Sequence, residues 1–315
     1  MYAVFGNPID HSLSPYLIGK LLNIKCYKVS LPDNFNKQFL LSYLKENNII
    51  FGNVTFPYKN IFYHYSDYLK FPANNLHSSN SFIFKDDKII STNTDGEGFF
   101  YGLKFLNYDI YKNLLGNRKL LIAGTGATAN SIAFSSKIRG INPIFISRKI
   151  NNLNDSKNRL NYNKSLNLFS DNPSNIFKLN IINYKEGLRL ISKEKDYIII
   201  STLPFSLISF IEKDRSIKID NFKEKNKNDE NFNDILEFFS KVLEKKMIVF
   251  DSNYKDYLSI KKNYLNYKIN ENIIDGIDQF LGQGLLSIYF FTGKNYLSKS
   301  IIKELKVGLI NENLK

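Results

Sequence analysis

The sequence predicts an α/β protein of two domains, and three features of the chain support this prediction. The N-terminal third alternates strand-like and helix-like segments that end in turn residues. A second alternating unit begins near Lys119, where a strand, a glycine-rich turn and a helix follow one another as in Rossmann-type domains. Helical segments then occupy the C-terminal part. With 315 residues, the chain is long enough to form two hydrophobic cores.

In the N-terminal unit, short apolar runs end at turn residues. The run 2–6 leads into Gly-Asn-Pro and predicts the first strand. Ser14 followed by Pro15 predicts the start of a helix, with Ser14 as its N-cap. The pair Asp86-Asp87 separates two apolar runs and predicts a hairpin. Further predicted elements are strands at 26–31 and 49–55 and a helix that includes 39–44.

The middle and C-terminal segments continue the alternation. A strand at 119–123 is followed by a helix that ends near Ile138. The segment 149–180 is weakly periodic and receives no assignment, whereas 211–235 is rich in Lys, Asn and acidic residues and predicts a flexible, solvated insertion. The remaining predictions are strands at 143–147, 197–201 and 247–251 and helices at 277–291 and 297–308.

The order of these segments predicts how the two domains are divided. The C-terminal helices follow the middle unit, and their simplest packing site is the N-terminal domain. We therefore predict a discontinuous domain formed by 1–96 together with 277–315, and a Rossmann-type nucleotide-binding domain at 97–276. The cleft between the two domains is the expected place for an active site.

The composition indicates a protein with neither a membrane nor a nucleic-acid partner. Hydrophobic residues make up 43% of the chain, and no apolar run approaches the roughly 20 residues of a membrane span. The lysines behind the net charge of +13 are scattered, which favours a basic surface over a nucleic-acid site. The single cysteine, Cys26, suits the reducing cytoplasm, and a strand starting at Tyr2 predicts no signal peptide. The three histidines lack partners at metal-ligand spacing, so no metal site is predicted.

The turn after the strand at 119–123 has the pattern of a dinucleotide-binding site. Gly124 permits a tight turn, Gly126 lets a pyrophosphate approach the backbone, and Ala129 lets the helix pack against the strand. Free N–H groups and the helix dipole then face the phosphates. A packed strand-to-helix turn without a ligand is the alternative explanation. The predicted phosphate-binding residues are Gly124, Thr125, Gly126 and Ala127.

The next strand ends in Ser147-Arg148-Lys149, at the place where NAD-binding proteins usually carry an acidic residue. A carboxylate would repel a 2′-phosphate, whereas an arginine offers it several hydrogen-bond donors. This segment therefore favours NADP over NAD as the cofactor. The alternative is an exposed basic turn in a basic protein.

Two motifs bring a lysine and an aspartate onto turns that follow predicted strands. They are Asn53-Val54-Thr55-x-Pro57-x-Lys59 and Asn93-Thr94-Asp95-Gly96. Five further motifs accompany them, namely Gly6-Asn7-Pro8-Ile9, His11-Ser12-Leu13-Ser14-Pro15, Asn80-Ser81, Asp251-x-x-Tyr254 and Gly276 followed after six residues by Gln283-Gly284. In this order, and over nearly the whole chain, the motifs resemble those of the shikimate dehydrogenase family.

The resemblance implies reversible, NADP-dependent reduction of 3-dehydroshikimate to shikimate, on the route to chorismate and the aromatic amino acids. Lys59 and Asp95 would be the catalytic pair. A lysine ammonium can stabilise the alkoxide that forms when hydride reaches a ketone, and it can donate the proton. A neighbouring carboxylate favours the charged lysine and orients it. The alternative for this pair is a surface ion pair worth less than roughly 1 kcal/mol.

The resemblance also implies binding roles for other residues and a small-molecule substrate. Ser12, Ser14 and Tyr254 would bind the substrate carboxylate, although Ser14 could instead cap the helix. Thr202 and Gly276 would lie beside the cofactor. The ring hydroxyls would be bound by Thr55, Asn80, Asp95 and Gln283. The protein would be a monomer or a homodimer.

Departures from the family pattern lie in the cofactor domain. The phosphate turn has Gly-Thr-Gly-Ala-Thr instead of Gly-Ala-Gly-Gly-Ala, and Asn130 replaces an arginine that is common there. Three alternatives stay open: a quinate/shikimate dehydrogenase that uses NAD, a regulator that binds NADP and nucleic acid without turnover, and an inactive homologue that only binds the ligand. The presence of both Lys59 and Asp95 argues against the regulator.

Overall fold

The computed structural model describes residues 1–117, 119–148, 180–194, 196–203, 232–253 and 272–313, which form two sheets. The first sheet has the order β2-β1-β3-β5-β6-β4, with β1, β2 and β3 parallel and β5 antiparallel to both of its neighbours. Its strands are β1 (Tyr2–Phe5), β2 (Cys26–Val29), β3 (Phe51–Val54), β4 (Tyr68–Leu69), β5 (Ser81–Lys85) and β6 (Lys88–Thr92). Between them lie helices α1 (Ser14–Leu22), α2 (Lys37–Glu46), α3 (Lys59–Tyr65) and α4 (Ala73–Leu76).

Helices α5 (Asp95–Leu106) and α6 (Tyr108–Asn117) lead to the second sheet, in which all pairings are parallel. Its strands are β7 (Lys119–Ala123), β8 (Asn142–Ile146), β9 (Asn180–Ile182), β10 (Ile198–Ser201), β11 (Val249–Asp251) and β12 (Ile273–Asp275), in the order β12-β11-β10-β7-β8-β9. Helices α7 (Ala127–Ile138), α8 (Tyr184–Lys193) and α9 (Phe232–Glu244) connect them. The strand order reverses between β7 and β10, the point at which sheets of this kind bind nucleotides.

The last two helices, α10 (Ile277–Thr292) and α11 (Lys299–Asn313), pack on the first sheet. Ile277 and Leu281 of α10 and Leu305 of α11 share a core with Tyr2 and Val4 of β1. The opposite face of that sheet is covered by apolar residues of α2 and α3. The chain thus leaves the first sheet, builds the second and returns. The domain boundaries given above stay a prediction.

Helices α5 and α10 cross at a distance that leaves no room for side chains. A Cβ atom on Gly98 would lie 2.4 Å from the backbone nitrogen of Gln283, and a Cβ atom on Gly282 would lie 2.1 Å from the carbonyl oxygen of Gly98. Real Cβ atoms do not approach so closely, so both positions require glycine. The crossing fixes the start of α5 relative to the middle of α10, and both segments carry predicted site residues.

A buried charge cluster holds α10, α11 and the α5–α6 junction together. The Nζ atom of Lys306 lies 2.5 Å from Asp278 Oδ1 and 3.3 Å from Asp275 Oδ2, and Asn107 donates to the other oxygen of Asp278. The Asp278 side chain is fully buried. Burial raises the pKa of Asp278 to about 7, although the Lys306 ammonium acts in the opposite direction.

The predicted elements agree closely with the structure in several places. Strand β7 has the predicted bounds and α7 ends at the predicted Ile138. The hairpin β5–β6 is confirmed, with Asp86 and Asp87 at φ values of 52° and 55° in its turn. Within the described residues, no helix is both long and apolar enough to cross a membrane.

Two sequence expectations concern irregular segments. One of them needs correction at its end, and most of both segments lies outside the described residues. The predicted insertion at 211–235 is wrong at its end, because 232–235 belong to α9 and Ile235 is buried against apolar neighbours. Residues 211–231 lie outside the described part of the chain. Of the unassigned segment 149–180, only Asn180 is described, and it begins β9.

Candidate active site

A cleft opens between the carboxyl ends of the two sheets. The loops after β1 and β3 form one side of it, and the loops after β11 and β12 form the other. Ligands of α/β proteins bind at such edges because the connecting loops, which carry the polar side chains, meet there. The cleft brings together eight residues predicted from the sequence: Ser12, Ser14, Thr55, Lys59, Asn80, Asp95, Gly276 and Gln283.

Lys59 and Asp95 form an ion pair inside this cleft. Each is the first residue of a helix, α3 or α5, that begins shortly after a strand of the first sheet. The Nζ atom of Lys59 lies 2.5 Å from Asp95 Oδ2, and the two side chains are 14% and 9% exposed. The pair is therefore largely shielded from water but accessible from the cleft, which strengthens its effect on a bound ligand.

A buried polar network holds the carboxylate from behind. Asn80 donates to Asp95 Oδ1 at 2.6 Å and to Gln283 Oε1 at 3.3 Å, while its own oxygen accepts from the backbone N–H of Thr94 at 2.8 Å. The backbone N–H of Asp95 donates to Asn93 Oδ1 at 3.1 Å. With these bonds, the Asn80 amide cannot rotate without losing several partners, so Asp95 has a fixed orientation.

Ser12 and Ser14 lie on the loop between β1 and α1, and both are buried side chains of the cleft lining. The backbone N–H of Ser14 donates to Ser12 Oγ at 3.4 Å. The expectation that Ser14 is the N-cap of the helix is wrong, because Leu13 occupies the cap position and no side chain caps the helix. The Ser14 hydroxyl is therefore not used for capping and lines the cleft. Tyr254, predicted beside these serines, lies outside the described residues.

A second groove continues from the cleft along the start of α7. It is lined by Gly126, Ala127 and Thr202, which were predicted at a cofactor site, together with Phe56 and His77 from the other side. The groove and the cleft share three residues: Thr55, Lys59 and Thr128.

The two glycines of the turn differ in what they do. Gly124 has a φ of +109°, and a Cβ atom there would lie 2.4 Å from Thr202 Oγ1. The Thr202 hydroxyl in turn donates to the carbonyl oxygen of Ala123 at 2.9 Å, which fixes the turn. Gly126 has ordinary backbone angles, and a Cβ atom there would meet nothing within 4 Å. Neither conformation nor packing therefore requires glycine at position 126, and the space before it is available for a ligand.

Other predicted cofactor residues also have structural contacts, and one of them, Gly276, lines the cleft. Gly276 packs against the loop after β11, because a Cβ atom there would lie 2.4 Å from the carbonyl oxygen of Ser252. Ser147 is buried and its backbone N–H donates to Ile182. Arg148 follows β8 and lies near Tyr184. Burial raises the pKa of the Tyr184 hydroxyl, and the positive charge of Arg148 offsets only part of this rise. Lys149 lies outside the described residues.

The sequence prediction missed several residues of the cleft. Gln279 precedes Gln283 by one helical turn and is buried in the lining, with Nε2 at 3.5 Å from the carbonyl oxygen of Asp95. Thr128 contacts Lys59. Asn53, His11 and Ser252 are further polar residues of this group. In the part of the chain that the structure describes, no three His, Cys, Asp or Glu side chains are placed to hold a metal ion.

An ion pair outside the cleft links helices α5 and α7. Arg139, at the end of α7, forms two hydrogen bonds of 2.7 and 2.8 Å to Glu97 of α5. Burial raises the pKa of Glu97, but the hydrogen bonds and charge of Arg139 outweigh burial, so the pKa lies below its usual value. The cation and the carboxylate that face the cleft are Lys59 and Asp95, and a paired ammonium of this kind can donate a proton to a ligand bound beside it.

The chain is similar in sequence to proteins named shikimate dehydrogenase (NADP(+)). The protein from Pelagibacter ubique is 33% identical over 152 residues, which are 47% of this chain and 56% of that protein. The protein from Prochlorococcus marinus strain MIT 9515 is 30% identical over 211 residues, 65% of this chain and 67% of its own length. The first of these matches thus spans little more than half of the relative. No protein-family model matches the chain.

Solved structures show the same fold over nearly the whole chain. A chorismate mutase/shikimate 5-dehydrogenase fusion protein from Clostridium acetobutylicum has a TM-score of 0.67 at 18% identity, with 100% of this chain and 98% of that chain covered. The Thermus thermophilus shikimate 5-dehydrogenase, in complex with NADP(H) and shikimate, has a TM-score of 0.61 at 16% identity, with 99% of both chains covered. A Listeria monocytogenes shikimate 5-dehydrogenase, in complex with shikimate and NAD, has a TM-score of 0.62 at 20% identity, with 96% and 95% covered.

Proposed function

Since this chain belongs to the shikimate dehydrogenase family, we propose that it catalyses the reversible, NADP-dependent reduction of 3-dehydroshikimate to shikimate. The observation that carries this proposal is the Lys59–Asp95 pair, which lies where the substrate cleft meets the groove along α7. In this position the ammonium group can reach both a ring substituent in the cleft and the reactive end of a cofactor in the groove.

The groove fits a nicotinamide dinucleotide. The open space before Gly126 would be filled by any side chain, and the N-terminus of α7 directs backbone N–H groups and a positive dipole towards it. Such a cofactor, when bound, supplies or accepts the hydride. The residues that would hold it are Gly124, Thr125, Gly126, Ala127 and Thr202 along the turn, with Gly276 at the far side and Ser147, Arg148 and Lys149 towards a 2′-phosphate.

Lys59 is the proposed proton donor. When the substrate carbonyl gains a hydride, its oxygen becomes negative, and a nearby ammonium lowers the energy of that charge and donates the proton. Asp95 orients the ammonium through the 2.5 Å contact and keeps it from binding elsewhere. In the oxidation direction Lys59 would act as the neutral amine, whose nitrogen accepts the proton as the hydride leaves.

The substrate is held by polar groups on three sides of the cleft. Ser12 and Ser14 offer hydroxyl donors for the carboxylate, at the end where the loop after β1 closes the cleft. The hydroxyls of the substrate ring would form hydrogen bonds with Thr55, Asn80, Asp95 and Gln283. Because unpaired buried polar groups are costly, this lining would reject analogues that lack a hydroxyl. Tyr254 remains a proposed partner of the serines.

The test is the absorbance of the reduced nicotinamide after mixing the purified protein with shikimate and NADP⁺. Parallel reactions use NAD⁺ in place of NADP⁺ and quinate in place of shikimate. Turnover confined to shikimate and NADP⁺ supports the proposal. Comparable turnover of quinate or with NAD⁺ would assign the chain to a quinate/shikimate dehydrogenase instead. Without turnover in any combination, the chain would be a binding homologue.

A further inference from the structure

Thr128 lies at the junction of the two cavities. It is the second residue of α7 and follows the phosphate turn directly. Among the described lining residues, only Thr55, Lys59 and Thr128 face both the cleft and the groove. Of these three, Thr128 alone belongs to the helix that starts at the nucleotide turn.

The Thr128 side chain contacts the catalytic ammonium. Lys59 Nζ lies 3.4 Å from Thr128 Oγ1, in addition to its contact with the carboxylate of Asp95 at 2.5 Å. The two contacts come from different helices, since Asp95 starts α5 and Thr128 belongs to α7. An ammonium has three donors, so two acceptors define its direction and leave one donor for a ligand.

The hydroxyl of Thr128 is available for this role because of its place in the helix. A threonine inside a helix often donates to the carbonyl four residues before it, but that residue here is Gly124, which precedes α7. In the described residues, the bond of the Thr128 hydroxyl is the one from Lys59. The hydroxyl therefore accepts from the ammonium and keeps its hydrogen for a group in the cleft.

We propose that Thr128 is a positioning residue: when a ligand occupies the groove, the Thr128 hydroxyl fixes the direction of the Lys59 ammonium. A ligand seated against Gly126 and Ala127 fixes the first turn of α7, and with it the hydroxyl that holds the ammonium. At 3.4 Å the contact is long, so a small shift of this turn changes it appreciably. The inference rests on the proposed function, because it assigns Lys59 the proton transfer.

The kinetic test compares Thr128→Val, which keeps the shape without the hydroxyl, with Thr128→Ser, which keeps the hydroxyl. We expect Thr128→Val to lower kcat about tenfold, with the KM values for shikimate and NADP⁺ within about twofold of the unchanged protein. Thr128→Ser should retain most of the turnover. An unchanged kcat in Thr128→Val would show that the hydroxyl does not act on Lys59. Equal losses of kcat in both variants would mean that the packing of the whole threonine side chain matters, and a loss confined to the KM for NADP⁺ would mean a groove contact. Each of these results overturns the proposal.

A second measurement does not depend on turnover. The protein is treated with a small amine-acetylating reagent without cofactor, and the modification rates of individual lysines are followed by mass spectrometry. Lys59 should react roughly two- to fivefold faster in Thr128→Val than in the unchanged protein and in Thr128→Ser, because one acceptor is lost. The exposed Lys45 serves as the internal control. Equal rates for Lys59 in all three proteins would show that the Thr128 hydroxyl does not hold the ammonium. Absent turnover in the unchanged protein would overturn the proposed function, and this second measurement would still test whether Thr128 holds Lys59.

Discussion

Lys59 Nζ lies 2.5 Å from Asp95 Oδ2, although the two residues are 36 positions apart in the chain. The strand order of the first sheet explains why the two side chains lie so close together. Strand β3 runs into the turn that ends at Lys59, and β6 runs into the turn that ends at Asp95, with only β5 between the two strands. Since both turns leave the same edge of the sheet, the two side chains meet above it.

Replacing the lysine tests its role directly. Lys59→Ala should lower kcat by roughly 10²–10⁴-fold, the usual contribution of a general acid, while shikimate still binds. The measurement is steady-state turnover together with calorimetric titration of shikimate without cofactor, so that no reaction contributes to the heat. Lys45→Ala, at a lysine whose side chain is 70% exposed, is the matched control and should turn over normally. A Lys59→Ala variant as active as the control would remove Lys59 from the reaction.

The positions of Lys59, Asp95 and the turn before α7 could be predicted because their signals are local. Each motif places its chemistry within a few residues of a strand end, and turns at strand ends of one sheet meet in space. Ser12 and Asn80 are predicted as site residues from the family resemblance, and the structure places both in the cleft lining. Ser14 was correctly placed but its capping role was wrong, because the turn before the helix puts Leu13 at the cap position.

The remaining site residues depend on how the two sheets face each other. Thr128 meets Lys59 across 69 positions of sequence, and no local pattern contains that contact. Gln279 is a different case, since it precedes Gln283 by four residues on the same helix and therefore shares its face. The helix pattern alone was enough to indicate Gln279, whereas the Thr128 contact required the three-dimensional arrangement.

The open space before Gly126 allows a selective test of the groove. Gly126→Val should raise the Kd for NADP⁺ at least about tenfold, because the new side chain would occupy the space proposed for the pyrophosphate. Its melting temperature should change little, since a Cβ atom at this position meets nothing within 4 Å. Calorimetric titration and thermal unfolding measure the two effects.

The matched control for this variant is Gly116→Val. Gly116 lies in α6, away from the groove, and a Cβ atom there likewise meets nothing within 4 Å. This control should bind NADP⁺ with unchanged affinity. If Gly126→Val binds NADP⁺ as the control does, the cofactor does not approach this turn.

Arg148 tests the preference for the 2′-phosphate. Arg148→Ala should weaken NADP⁺ binding about tenfold or more and change NAD⁺ binding little. Only NADP⁺ carries the 2′-phosphate that the guanidinium is proposed to bind. The ratio of the two Kd values is the informative quantity, and it is insensitive to general damage. An equal loss for both cofactors would mean that Arg148 supports the local structure, for instance through its neighbour Tyr184.

The buried cluster at Lys306 gives a prediction about stability. Lys306→Met leaves the carboxylates of Asp275 and Asp278, which are 7% and 0% exposed, without their cation. Removal of one partner from a buried ion pair typically lowers the free energy of unfolding by about 3–5 kcal/mol. Urea unfolding of Lys306→Met and of Lys303→Met, at an exposed position of the same helix, measures the difference. The exposed variant should match the unchanged protein.

The loss in Lys306→Met should also depend on pH. Burial raises the pKa of Asp278 to about 7 in the folded protein, from 3.8 as the ordinary value. A raised folded pKa of a carboxyl contributes stability that is present below pH 3.8 and is lost as the pH rises through about 7. Because the Lys306 ammonium lowers this pKa, its removal raises the pKa further and extends the loss to higher pH.

At pH 5 Asp278 is mostly protonated in both proteins, so the variant should be only moderately destabilised there. At pH 8 the buried carboxylate needs its cation, and the destabilisation should be larger. An equal loss of unfolding free energy at both pH values would show that Lys306 acts through packing of its stem and not through Asp278.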